Sequence, residues 1–417
     1  MQLITRLALV YSHLNAKANT ADKQVLNANL HSTKKPKGIK KPNLRKLFLW
    51  IHRWLGLVSG LVVLVVSLTG CIYVFEEEIR NTFQQQYLYI HPPESNTARQ
   101  PIDTLWQIAQ AALPRKDTLV QLRFKTQPNA AYVFITQTKK SVSVNPYSGA
   151  ITGIRNLKSD FLYINLELHK NLLLGSVGKQ IIKWNVLIFF ILCISGLIVW
   201  WPKQKRFFKQ AVSIKWQAKN LKRLTWDLHA VLGFYALGVL LMIAFTGMFW
   251  MFDSVKQITA AVTGTAYVKR EPPKSMQHGK QLYKLQQAYT HADMRYPGAT
   301  EVHLHKPMEG NQALRVSLRY PYWLVRNHNN LFYHPQTGQI LRQDLYRQYT
   351  TFDKVKHSNY SLHTGNIPAL GMGSKIIYFL ASLFSASLPV TGFLIWYNRG
   401  KKKKAAHLKT GKLRHQA

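Results

Sequence analysis

Sixteen histidines stand in this sequence, and four of them recur in two matched settings. His52 lies in LWIHRWLGLVSG and His229 in WDLHAVLGFYALG, each followed four residues later by a glycine, Gly56 and Gly233. His169 lies in LHKNLLLGSVGK and His363 in LHTGNIPALGMG. Neutral imidazole is the usual nitrogen ligand of b-type haem iron, and two imidazoles on facing helices supply both axial positions. A glycine one turn along the same helical face leaves room for a flat macrocycle. The pairs Thr69–Gly70 and Thr246–Gly247 can do the same deeper in, or simply permit close helix packing with no cofactor. A single histidine near a helix end is ordinarily a hydrogen-bonded polar residue. Four at matched places favour two haem b groups, one on His52 and His229, the other on His169 and His363, with Gly56 and Gly233 lining the first.

Those histidines need elements to carry them. Trp54–Phe75 runs 22 residues without a charge, Ala230–Phe252 runs 23 and Ile376–Tyr397 runs 22, while Trp184–Trp201 gives 18, or 21 from Ile181 with Lys183 tolerated. At about 1.5 Å per residue such a stretch reaches about 33 Å, against a hydrocarbon core of about 30 Å. Trp50, Trp54, Trp200, Trp201, Trp250, Trp396 and Tyr397 mark the ends, as interfacial aromatics do. Four transmembrane helices are expected. Shifting the first stretch by 177 positions superposes His52 on His229, Gly56 on Gly233, Thr69–Gly70 on Thr246–Gly247 and Glu76 on Asp253. The second and fourth superpose at an offset drifting from 194 to 196, which pairs His169 with His363 and Ser195–Gly196 with Thr391–Gly392. Each long segment between them carries a helix-like stretch (102–113; 281–292), alternating strand-like runs and a hairpin, Val144–Ile151 or Tyr333–Ile340. The chain reads as a parallel duplication, related by an axis along the membrane normal.

A formal net charge of +39 on a chain that is 47% hydrophobic would suggest a nucleic-acid binder if it were spread over a soluble domain. It is segregated instead. Residues 1–53, 203–223 and 398–417 hold 27 Lys/Arg and one acid, Asp22, whereas 76–165 holds ten bases and seven acids and 253–373 fifteen and seven. The positive-inside rule puts both termini and the short middle loop in the cytoplasm and both long segments outside. The charge also suits anionic membrane lipids as partners, and no nucleic acid is expected. Met1–Tyr11 is too short an apolar run for a cleaved signal peptide, so Trp54–Phe75 reads as an uncleaved signal-anchor. Cys71 and Cys193 both fall in apolar stretches, which excludes a disulfide framework, covalent haem attachment and thiolate clusters. Gly371-Met-Gly373 lacks the third glycine and βαβ context of a dinucleotide fingerprint, and no P-loop occurs, so no flavin, NAD or ATP site is expected.

The expected fold class is therefore integral membrane α-helical: four transmembrane helices as a duplicated two-helix unit, each unit with an extracytoplasmic α+β domain. Expected boundaries are a flexible basic cytoplasmic tail 1–46, first span 47–75, outer domain 76–165, interfacial segment and second span 166–202, basic loop 203–224, third span 225–252, outer domain 253–360, interfacial segment and fourth span 361–397, and basic tail 398–417. A straight helix would lift His169 about 18 Å above its span. The segments LHKNLLLGSVGK and LHTGNIPALGMG must fold back along the membrane surface if these histidines are to act there.

Over about residues 44–400 the chain resembles the PepSY-associated transmembrane helix proteins, which include bacterial siderophore reductases and iron-uptake proteins. The resemblance rests on LWIHRWLGLVSG, on LHKNLLLGSVGK with its closing SGLIVWWPK, on WDLHAVLGFYALG with FTGMFW, and on the NPYSG hairpin. It implies PepSY-like outer domains and a multi-pass cytochrome of the bacterial inner (cytoplasmic) membrane. Such a protein takes electrons from quinol or a separate reductase and reduces ferric siderophore, or another ferric chelate, in the periplasm so that Fe(II) is released. Reduction works as release because hard oxygen donors hold Fe(III) more tightly than the softer Fe(II). Two other readings stay open: an iron or chelate permease component, and a membrane-anchored binding or sensor protein without redox activity. Few ionisable residues fall inside the apolar stretches, which counts against a transport path.

Three further groups have chemistry to offer. His303 and His305 alternate in Val302–Lys306 and would share one face of a strand, where they can hold iron or simply face solvent. Glu76, Glu77 and Glu78, with Asp253 in the matching place, can receive Fe(II) through oxygen or merely solvate helix ends. Arg315, Arg319 and Arg326 can attract an anionic chelate or solvate a sheet.

Overall fold

Within lipid every backbone N–H and C=O must be satisfied inside its own segment, so long apolar stretches fold as helices. The structure, a computed structural model, describes residues 44–94, 97–217, 220–269, 271–274, 283–307 and 312–414, with side chains to residue 399. The first half runs α1 (Leu44–Tyr73), α2 (Glu76–Phe83), a short helix Gln85–Leu88, α3 (Ile102–Ala111), β1 (Leu119–Lys125), β2 (Tyr132–Thr136), β3 (Lys140–Val144), β4 (Ile151–Asn156), α4 (Phe161–Asn171) and α5 (Gly175–Trp200). The second runs α6 (Leu221–Met251), α7 (Asp253–Val262), α8 (Leu285–Arg295), β5 (Glu301–His305), β6 (Leu314–Tyr320), β7 (Asn327–Tyr333), β8 (Ile340–Asp344), α9 (Thr351–Thr364) and α10 (Gly371–Arg414). Four helices are long and apolar enough to cross a membrane: α1, α5, α6 and the 368–399 part of the last. They begin several residues before the uncharged stretches, because Lys and Arg stems can extend a helix while keeping the charge in water. The tail expected over 1–46 lies, up to residue 43, outside the described residues.

The two outer segments, expected as separate domains, share one antiparallel sheet of eight strands in the order β4-β3-β2-β1-β5-β6-β7-β8. Strands β1 and β5 would each be an unpaired edge of a four-stranded half, and pairing them with each other removes both edges. Their register sets Gln121 opposite His305, Arg123 opposite His303 and Lys125 opposite Glu301. Side chains alternate faces along a strand. On one face Leu122, Phe124, Val302, Leu304, Val316, Leu318, Leu331 and Tyr333 are buried against Leu105, Ala109 of α3 and Ala288, Ala292 of α8. The other face carries Arg123, His303, His305, Arg315, Arg319 and His328. Both hairpins turn where expected, with Gly149 and Gly338 at positive φ.

The fold-back demanded by His169 and His363 is present. After α4 the chain turns through Leu172 and Leu173, both left-handed at φ 55° and 59°, and α5 then starts so close that a Cβ on Gly178 would fall 1.6 Å from the Asn171 carbonyl oxygen. After α9 the reversal uses Gly365 at φ 71°, hard against the Tyr378 ring. Glycine is required at both places, once for space and once for backbone conformation.

Candidate functional site

The four duplicated histidines meet as two pairs. His52 of α1 and His229 of α6 have ring centres 6.2 Å apart at 85°; His169 of α4 and His363 of α9 have centres 6.2 Å apart at 78°. Thr69, which bonds His169, is 17 residues along α1 from His52, as Thr246, which bonds His363, is from His229 along α6. At about 1.5 Å per residue the pairs therefore sit about 25 Å apart along the helix axes. His229 lies in a π turn, Leu228–Leu232, the kind of local widening that often marks a functional position.

Each ring is held by one hydroxyl. His52 Nδ1 lies 3.0 Å from Ser195 Oγ, His229 Nδ1 2.9 Å from Thr391 Oγ1, His169 Nδ1 3.0 Å from Thr69 Oγ1 and His363 Nδ1 2.9 Å from Thr246 Oγ1. Every one of these hydroxyls is also placed to donate to a carbonyl of its own helix: Leu192, Ser387, Val65 and Met242 respectively. A hydroxyl has one proton. Once that proton serves the carbonyl, the oxygen can only accept, so the ring must donate from Nδ1–H. His363 makes the same point independently, because its Nδ1 also lies 3.1 Å from the Ile243 carbonyl oxygen, which can only accept. The lone pair is left on Nε2 in all four rings, the tautomer that a metal needs.

The spacing then tests the fit. A metal–imidazole bond is about 2.0 Å and the ring centre lies about 1.1 Å behind the nitrogen, so two rings across one metal have centres about 6.2 Å apart. Both pairs match that separation. Four partly accessible imidazoles of fixed tautomer are thus suited to two bis-imidazole haem sites.

A Cβ on Gly56 would meet only Leu192, at 3.8 Å, and one on Gly233 only Leu388, at 3.6 Å, so neither glycine lies against a histidine ring itself. The residues that face the rings are Gly196 (His52 Cε1, 3.1 Å), Gly392 (His229 Cε1, 3.3 Å), Gly70 (His169 Cε1, 3.6 Å) and Gly247 (His363 Cε1, 3.5 Å). The reason is geometric: the i+4 position shares a face with its histidine, but the ring leans onto a neighbouring helix, where a Ser/Thr-Gly pair offers a hydroxyl to Nδ1 and a bare Cα to Cε1. Two asparagines complete the outer pair. Asn165 Nδ2 donates to the Thr69 carbonyl at 3.0 Å and Asn359 Nδ2 to the Thr246 carbonyl at 3.1 Å, each four residues before its histidine. The recurring Asn-x3-His spacing was the signal available for them.

The remaining candidates are placed as follows. Glu76 pairs with Arg80 at 2.9 Å, Glu78 and Glu77 share Lys375, and Asp253 pairs with Lys256 at 2.7 Å, so each of these carboxylates already has a cationic partner. Among the described residues no three His, Cys, Asp or Glu side chains gather as a metal group. His303 and His305 share the polar sheet face, but their Nε2 atoms are engaged, by Glu301 at 2.6 Å and Gln121 at 2.9 Å. Burial lowers His303 to about 4, its bond to Glu301 offsetting only part of that, and lowers His305 to about 3 with help from Arg315. Arg315, Arg319 and Arg326 lie on or beside the same face, half-buried. Cys71 and Cys193 are free and buried.

Residues 49–399 match the protein family described as PepSY-associated TM region. Comparison with curated proteins gives no match.

Proposed function

This chain belongs to the PepSY-associated TM region family, and from that premise we propose that it is a haem-containing reductase of the bacterial inner membrane. In this reading it passes electrons from quinol or a separate reductase to a ferric siderophore or related chelate in the periplasm. The observation that carries the reading is the pair of imidazole pairs, each with Nδ1 tied to a hydroxyl, Nε2 free and ring centres 6.2 Å apart. His52 and His229 would hold the haem nearer the cytoplasm, His169 and His363 the one nearer the sheet. Haem held by these histidines would supply one-electron redox chemistry.

The chain's own residues then have defined tasks. Ser195, Thr391, Thr69 and Thr246 fix the tautomer, Asn165 and Asn359 pin the two fold-back helices, and the four adjacent glycines let the rings approach. The charge allocation orients the molecule with both termini inside and the sheet outside, and a duplicated two-helix unit accounts for two like pairs. An absorption spectrum of purified protein tests this: a Soret band with b-type α and β bands on dithionite reduction is expected, and a colourless protein from haem-replete membranes would refute it. Ferrous iron trapped by a chromogenic chelator then tests the substrate. His52→Ala or His229→Ala should remove the low-spin signal of one haem and leave the other.

A further inference from the structure

The sheet's polar face is turned toward the membrane helices. Arg123 and Arg319 lie within Coulombic reach of each other, Arg123 also of Arg80 and Glu76 of α2, and Arg319 of Arg315, Arg326 and Tyr360. The Arg326 guanidinium stands 4.5 Å over the Tyr360 ring, and its backbone N–H donates to the His357 carbonyl of α9. Tyr360 is three residues, about 4.5 Å of helix rise, from His363. It interacts with Tyr73, four residues beyond the Thr69 that clamps His169. The face thus looks onto α9 and the corner between α1 and α2, one helical turn from the outer histidine pair.

Its charge is one-sided. Arg123, Arg315, Arg319 and Arg326 share this side of the sheet with two strand carboxylates, Glu301, already bonded to His303 and Arg319, and Asp344, opposite Asn330. Among the described residues Arg315 is paired with no carboxylate and its Nε is buried with no hydrogen bond, while Arg123 has Glu301 and Glu76 only within Coulombic reach. A cavity of about 200 Å³ opens beside Arg315, lined also by Asn330, Phe332, Tyr349 and His357. The carboxylates on its far side are engaged: Asp344 pairs with Arg342, and Asp353 accepts from Thr350. Packed like charges and an unbonded buried guanidinium nitrogen cost stability unless an anion uses them.

We propose that this arginine-rich face, with the cavity beside Arg315, is an anion-binding site that receives an oxygen-donor ferric chelate of net negative charge, held by Arg123, Arg315 and Arg319; the iron-chelate identity rests on the reductase reading above. Guanidinium forks suit carboxylate and catecholate oxygens. Neutral and cationic chelates are disfavoured by the same charges.

The test uses the whole protein in phosphatidylcholine nanodiscs, which carry no anionic headgroup, and redox-inert gallium(III) chelates, so that binding is read without electron transfer. Gallium(III) citrate should bind, weakening as salt rises, and the neutral gallium(III) tris(acetohydroxamate) should bind at least 10-fold more weakly. Arg123→Gln and Arg315→Gln should each lower citrate-complex affinity about 10-fold, with thermal stability unchanged or raised, while Arg295→Gln on the opposite helix layer changes neither. A structural arginine would show the reverse pattern, lost stability with affinity kept. Equal binding of the two chelates, or citrate-complex affinity untouched in both variants, overturns the anion site. A haem spectrum is recorded on the same samples: chelate binding without one defeats the reductase reading alone.

Discussion

Four glycines stand against four histidine edges, but not at equal distance, and the inequality makes a sharp prediction. A methyl group on Gly196 would lie 3.1 Å from His52 Cε1 and one on Gly392 3.3 Å from His229 Cε1, whereas on Gly70 it would lie 3.6 Å from His169 Cε1. Carbon–carbon contact becomes comfortable at about 3.5 Å. Gly196→Ala therefore drives the His52 ring back by about 0.4 Å, while the Ser195 bond at Nδ1 holds it in place. Ligand geometry tolerates about 0.5 Å, so Gly196→Ala should bring the inner pair to the edge of function and weaken haem retention about 10-fold, the scale of a lost supporting contact. Gly70→Ala falls in ordinary contact and should leave the outer haem intact. Both replacements favour the helix by about 1 kcal/mol, so unfolding cannot account for a loss. Haem stoichiometry and the low-spin electron paramagnetic resonance spectrum of each purified variant read the outcome. If Gly70→Ala loses as much haem as Gly196→Ala, or if Gly196→Ala keeps both low-spin species, the ring-clearance argument is wrong.

Other outcomes follow from the same geometry. Thr69→Val removes the hydroxyl that holds His169 and should weaken the outer haem about 10-fold or more. Thr246→Val removes the matching hydroxyl from His363 and should cost as much, because a backbone carbonyl stands by both rings, Val66 at His169 and Ile243 at His363; a loss from only one of the two variants in a haem titration would contradict this. His328 and His357 are lowered by burial to about 3 and about 4, like His305 and His303. The unfolded chain thus binds more protons than the folded one between about pH 4 and about pH 6.5, and stability falls as pH drops through that window. Glu301 adds to the loss lower down: burial would raise it, but His303, Arg319 and Arg123 together hold it near 2. A melting midpoint flat from about pH 7 to about pH 4 would show that these imidazoles are not kept neutral by the fold.

Much of this site was legible in the sequence for a physical reason. Matching His52 with His229 and His169 with His363 depends only on repetition, and the need for a fold-back depends only on helix rise. What sequence spacing cannot supply is which neighbouring helix a ring leans on. The i+4 relation that picks out Gly56 and Gly233 is the one a single helix defines, while Ser195–Gly196 and Thr391–Gly392 align in the sequence yet show their partnership only once α1 meets α5 and α6 meets α10. The left-handed Leu172 and Leu173 are equally silent, since leucine does not advertise positive φ. Pairing of β1 with β5 joins strands 176 or more residues apart, and alternation says which residues share a face but not that this face looks toward the membrane.

The hydroxyl clamps close within halves: Ser195 on His52 and Thr69 on His169 in the first, Thr391 on His229 and Thr246 on His363 in the second. The histidine pairs close between halves. Each half therefore presents two finished half-sites, one at each depth, and anything bound by both members of a pair is a tie bolt across the seam that the β1–β5 ladder fastens at the top. Loading of such a ligand and the joining of the halves would then be one equilibrium, and occupancy at either depth would report on the integrity of the whole helical bundle.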